Sequence, residues 1–117
     1  LDGGGDDDHL WGGLGNDNLN GWTGENFLFG DDGDDIITCY GGNDIATGGQ
    51  GADWFYLIGA DSTLTITDFE LGIDHFTADS ALAGYLETSD GLQCEFEAGG
   101  FAIFHGITAA QADGWLI

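Results

Sequence analysis

The chain of 117 residues has no lysine and no arginine, against 22 acidic side chains, so its formal charge is −22. A nucleic acid would be repelled over the whole surface, and nucleic-acid binding is excluded. No cationic side chain exists to stabilise an oxyanion or hold a phosphate. Long hydrophobic runs are missing too. No stretch approaches the roughly 18 consecutive apolar residues that a membrane helix needs, so no membrane span is expected. The first residues show no basic segment followed by an apolar one, the mark of an N-terminal signal peptide.

Groups for catalysis are equally scarce. His9, His75 and His105 are the only candidates for a neutral-pH base, and no two have the i, i+4 spacing of a zinc pair. Ser62, Ser80 and Ser89 lie in turn contexts without nucleophile-elbow spacing. A non-catalytic protein is expected, with a carboxylate pair acting on sugars as the remaining catalytic alternative. Cysteine is limited to Cys39 and Cys94. A disulfide between them would contribute about 4 kcal/mol in the chain-entropy model, with free thiols or an intermolecular bond as the alternatives. A hydrophobic content of 42% with 15 aromatic residues suffices for one domain with a modest core.

What the chain does have is a period of nine. Six units run without insertion over residues 3–56: GGGDDDHLW, GGLGNDNLN, GWTGENFLF, GDDGDDIIT, CYGGNDIAT and GGQGADWFY. The sixth place of successive units holds Asp8, Asp17, Asn26, Asp35, Asp44 and Asp53. The eighth holds Leu10, Leu19, Leu28, Ile37, Ala46 and Phe55. One column is polar and suited to a ligand, the other apolar and suited to a core. A disordered acidic tail would not space its apolar residues in this way.

The polar column suits calcium. The ion prefers six to eight hard oxygens; turns built of Gly can aim backbone carbonyls at it, and Asp is short enough to complete the shell. Without metal the same residues oppose folding, because like carboxylates approach one another with no cation in the chain to separate them. The 23 glycines add to the difficulty. Ordering costs roughly 1–2 kcal/mol of backbone entropy per residue, which one apolar side chain per strand does not offset. Calcium binding and folding are therefore expected to be one event, with affinity in the extracellular range of about 10⁻⁴–10⁻³ M.

The units resemble the repeats-in-toxin family, whose form is G-G-x-G-x-D-x-U-x with U a large apolar residue. Departures include Asp6 for Gly, Trp22 and Tyr40 for the second Gly, and Cys39 for the first. The resemblance implies an all-β fold, a parallel β-roll in which six residues turn, three form a strand, and units alternate between two sheets. Each sixth-place residue then faces the one eighteen positions on, with several Ca2+ ions between such neighbours. The clearest sites fall between Asp17 and Asp35 and between Asp35 and Asp53. Asn26 removes a charge from the Asp8 and Asp44 side, so one side is expected to bind more tightly. Gly15, Gly33, Gly51 and Asp34 are further candidates for the ion shell.

From residue 57 the period gives way to short alternating runs, at 64–67, 94–97 and 101–104, which read as strands. ITDFELGIDHF at 66–76 is similar to the segment after the last repeats of serralysin-type secreted proteases and related type I secreted proteins, and Asp68 and Asp74 are candidates for a further calcium. HGITAAQADGWLI at 105–117 resembles the family's terminal segment, its Ala-rich part fitting a short helix. The division is thus 1–56, calcium-binding repeats, and 57–117, a capping and secretion-signal-like region. The resemblance further implies a secreted protein, extracellular or at the cell surface, leaving bacteria through a type I route that reads a C-terminal signal.

Leu1 and Asp2 occupy the eighth and ninth places of a unit whose first seven residues are missing, so the chain reads as part of something longer with an open coil edge. If the eighth place points inward, the seventh and ninth point out, and one face displays His9, Trp11, Phe27, Phe29, Ile45 and Thr47. That face is too apolar for water. Either the chain's own cap covers it, or it meets an upstream domain or another copy of the chain. The functional expectation is a calcium-binding module of a type I secreted protein; the alternative is a self-assembling extracellular structural protein forming a filament or surface layer.

Overall fold

A computed structural model describes residues 1–116. Each repeat places its turn and strand where the period puts them. Strands β1 (His9–Trp11), β2 (Asn18–Asn20), β3 (Phe27–Phe29), β4 (Ile36–Cys39), β5 (Gly42–Thr47) and β6 (Trp54–Leu57) come one from each unit. They alternate between two sheets: β1-β3-β5 in one and β2-β4-β6 in the other, all parallel. Leu10 pairs with Leu28 and Leu28 with Ala46, while Leu19 pairs with Ile37 and Ile37 with Phe55. This is a parallel β-roll. Leu19, Leu28, Ile37, Ala46 and Phe55 are all buried between the sheets, and Leu10 is half-buried at the open end.

The turns impose a fixed backbone. The second and fourth places adopt left-handed conformations in almost every unit, even where the residue is Asp6, Trp22 or Asp31. The fifth unit departs. Tyr40 at its second place is not left-handed, and β4 runs on through Cys39 to pair with Leu57 before the chain turns.

Parallel stacking outlasts the nine-residue period. β7 (Ser62–Ile66) continues the first sheet, with Ile45 opposite Thr65, and β8 (His75–Ala78) continues the second, with Trp54 opposite His75. The offset therefore grows from 18 residues to 20 and 21. Beyond them, β9 (Leu82–Glu87), β10 (Gly91–Phe96) and β11 (Phe101–His105) form an antiparallel group that joins the first sheet through β11 and β7. The helix α1 (Ala109–Ala112) follows, and the Thr108 hydroxyl accepts from Gln111 N while the Gln111 side chain accepts from Thr108 N. Phe69, Phe76, Phe96, Phe104 and Trp115 make the aromatic centre of this half, with Phe69 edge-on to Phe104 at 5.2 Å.

Two expectations are corrected here. The cap does not cover the apolar outer face of the first sheet; it lengthens that sheet from the far edge, because β11 finds its hydrogen-bonding partner in β7. Trp11 stays 56% and Phe27 38% exposed, Ile45 is also exposed, and Phe29 stacks on Trp11 at 5.8 Å. Nor are Cys39 and Cys94 joined: both are buried free thiols. Cys39 ends β4 in one sheet beside the carboxylate of Asp44, and Cys94 lies in β10 of the other sheet opposite Ala102 and Tyr85.

Candidate metal centre

The sixth-place side chains form two ladders along the turns. From the third unit on, each sends one oxygen to the coil before it: Asp17 N donates to Asp35 Oδ1 at 2.8 Å and Asp35 N to Asp53 Oδ1 at 2.9 Å. On the other side Asp8 N donates to Asn26 Oδ1 and Asn26 N to Asp44 Oδ1, both at 2.9 Å. The second oxygen has no such partner. Oδ2 of Asp8, Asp17, Asp35, Asp44 and Asp53 is buried without a hydrogen bond. Leaving ionised oxygens buried and unpaired costs several kcal/mol per ion in real proteins, and the chain carries no Lys or Arg to pair them. The arrangement calls for a cation from outside.

The glycines of the turn define the space around those oxygens. A Cβ built on Gly12 would lie 2.9 Å from Asp17 Oδ2, and one on Gly30 or Gly48 would press on Oδ2 of Asp35 or Asp53. First-place Gly thus leaves open the cradle beside Asp17, Asp35 and Asp53. At the fourth place Gly33 sits against the Gly15 carbonyl and Gly51 against the Gly33 carbonyl, closely enough that neither tolerates a Cβ. The three candidate glycines are therefore stacked, with their backbones in contact.

Burial, reinforced by the carboxylates of Asp74 and Asp35, pushes Asp53 up to about 7 when no ion is present. Burial likewise raises Asp35, Asp44 and Asp74 above the ordinary carboxylate range. Among the described residues no three Asp, Glu, His or Cys side chains converge as a self-contained ion cage. An ion beside these carboxylates takes the rest of its shell from backbone carbonyls, as hard oxygen-seeking Ca2+ readily does. The residues fit that ion.

The remaining candidates are placed differently. Asp34 Oδ1 accepts from Ala52 N at 2.8 Å, tying one coil to the next on the outer side of the turns. Asp68 accepts from Gly48 N and Gly49 N, and Asp74 from Asp53 N and Glu70 N, so each gives both oxygens to backbone amides. Asp74 thereby extends the sixth-place ladder beyond the repeats. A second ladder was missed from the sequence: fifth-place Asp7, Asn16 and Asp34 accept from the backbone of the following coil. Its signal was the run of Asp, Asn and Glu at that place. His9 and His75 pack against Phe27 and Trp54, at 4.9 and 4.2 Å between ring centroids.

The family model for the RTX calcium-binding nonapeptide repeat, in four copies, matches residues 2–37 and 29–57. The repeats belong to the RTX family. As RTX repeats they are a calcium-binding, non-catalytic fold. Comparison with curated protein sequences gives no match. Among solved structures the chain is similar to the AlgE6R3 subunit from the Azotobacter vinelandii mannuronan C5-epimerase, with 21% identity and a TM-score of 0.68. The match covers 92% of this chain and 74% of that one, and it shows a shared fold.

Proposed function

We propose that this chain is a non-catalytic RTX module of a type I secreted extracellular bacterial protein, and that it folds as calcium enters its turn stacks. One observation carries the reading: five buried carboxylate oxygens lack any partner in a chain without Lys or Arg. Asp17, Asp35 and Asp53 would hold ions on one side of the roll, and Asp8 and Asp44 on the other. Bound calcium supplies the positive charge that lets neighbouring carboxylates share a dry site. Asp53 and Asp35 orient their ladder oxygens through backbone amides, while Gly30 and Gly48 keep the approach to their second oxygens clear. Export through the type I route follows from likeness to the RTX family, and affinity in the range of about 10⁻⁴–10⁻³ M would match calcium outside the cell. Far-ultraviolet circular dichroism with and without a chelator tests the coupling. Loss of the β signal on chelation is expected; an unchanged spectrum rejects it.

The exposed outer face of the first sheet supports a second reading, self-assembly into a filament or layer. Trp11, Phe27 and Ile45 remain open to solvent because the cap extends the sheet instead of covering it. Electron microscopy of the protein in calcium separates the two, ordered filaments favouring assembly and dispersed particles the module. Replacing Phe27 and Phe29 by Ser should abolish any filaments; their persistence would count against this face.

A further inference from the structure

The two sides of the roll are not chemically equivalent. On the side of Asp17, Asp35 and Asp53 every first place is Gly: Gly12, Gly30 and Gly48. The third places Leu14, Asp32 and Gln50 bridge successively from coil to coil on this side. All three carboxylates leave Oδ2 buried and unpartnered. The opposite side is interrupted twice. Asn26 gives Oδ1 to Asp8 N, which fixes the amide's orientation, and its Nδ2 donates to the Gly21 carbonyl at 3.1 Å. In the next unit of that side Cys39 replaces the first Gly, and its thiol stands beside the Asp44 carboxylate.

The geometry points to Asn26 as a built-in replacement for a calcium ion. Its amide nitrogen lies on the Gly21 side of the turn, as Asp35 Oδ2 lies on the Gly30 side, but it arrives with its own protons and meets the carbonyl as a donor. A carboxylate there would set oxygen against oxygen and need an ion between them. The neutral amide needs none and would itself repel a cation from the position. The side of Asp17, Asp35 and Asp53 is therefore the seam that calls for ions at every turn, whereas the opposite side, with Oδ2 of Asp8 and Asp44 still unpartnered, is closed at its centre by the protein's own hydrogen bond. The inference rests on the calcium reading above and adds which turn does without the ion.

The test counts calcium bound per chain in wild type, Asn26→Asp and Asp35→Asn, by isothermal titration calorimetry and by elemental analysis after dialysis. Asn26→Asp is expected to bind one ion more than wild type and to need a higher calcium concentration for half-maximal folding by circular dichroism. Asp35→Asn is expected to bind fewer ions while keeping its β signal in saturating calcium, because the new amide faces Gly30 as Asn26 faces Gly21. An unchanged count in Asn26→Asp overturns the inference. Should that variant fail to fold, Asp35→Asn decides alone, and a wild-type count in it also overturns the inference. Wild type that binds no calcium at all would remove the calcium reading itself, a result distinct from wild type that binds ions and an Asn26→Asp that gains none.

Discussion

The roll and the cap share both sheets but bury different groups. In the roll every strand after β1 buries its eighth-place side chain, such as Leu19, Leu28 or Ile37, and most turns bury a carboxylate oxygen with no partner. In the cap, Leu92, Phe96, Phe104 and Ile107 are buried around a cluster of aromatic rings, and no buried carboxylate oxygen among the described residues lacks a partner. The first half buries carboxylate oxygens beside its apolar column, which is the ground for proposing that it folds with ions; the second follows ordinary hydrophobic burial. Where they meet, Asp68 and Asp74 hold the last repeat by backbone hydrogen bonds, so the junction is built by carboxylates that are already satisfied.

Calcium removal should break the comparison most visibly. Hydrogen exchange of metal-free protein is expected to show protection lost throughout β1 to β6 and retained in β9 to β11. Loss of protection in both halves together would mean that the cap too depends on ions. The converse change comes next in size. Phe104→Ala removes a fully buried ring that meets Phe69 and Phe76, and should cost about 3–5 kcal/mol by denaturant titration in saturating calcium. Raising calcium further should not restore the loss; complete restoration would assign the cap's stability to the ions.

The same division explains what could be read in advance. The eighth place announced the core, and the sixth a buried polar column, because one physical role recurs every nine residues; the alternation of units between sheets came from the likeness to the repeats-in-toxin family. The direction of the Asn26 amide was not legible: it depends on which neighbouring backbone group is a donor, here Asp8 N, and that is set by coil stacking. The cap's position was misjudged because alternating runs reveal strands without naming their partners, and the partner of Phe101–His105 is β7, which lies next to β5 in the first sheet. The expected disulfide failed for a similar reason. Two cysteines in a sequence say nothing of their placement, and Cys39 and Cys94 belong to different sheets.

Within the roll, one first-place glycine sharpens the contrast. A Cβ on Gly30 would strike Asp35 Oδ2 and stand 2.7 Å from the Gly48 carbonyl, so Gly30→Ala should weaken calcium binding on the order of 10-fold or more. Calorimetric titration measures it, and wild-type affinity would show that the cradle is not where the ion sits. The pH response is gentler and has opposite signs with and without metal. In metal-free protein the Asp53 carboxyl rises from 3.8 to about 7 on folding, so the folded state holds a proton that the unfolded chain releases between those values. The metal-free roll, disfavoured at neutral pH, should therefore regain stability as pH falls from about 7 toward 4 and lose that gain as pH rises through 7. In calcium the protons compete with the ions, and acidification over the same window should destabilise. Circular dichroism across that range checks both slopes; equal signs would separate proton and ion from the same carboxylates.

The smallest effect is expected where the fifth unit relaxes the pattern. Gly41 stands at a third place, its backbone is not left-handed, and a Cβ there would meet nothing within 4 Å. Gly41→Ala should leave the calcium count unchanged and stabilise the protein by about 0.4–1 kcal/mol, because it restricts only the unfolded chain. Gly30 and Gly41 are both turn glycines, yet only the first borders a carboxylate oxygen without a partner. If denaturant titration in calcium found Gly41→Ala as damaging as Gly30→Ala, the decisive property of these turns would be backbone freedom in general, and the cradle beside the carboxylate would lose its special place.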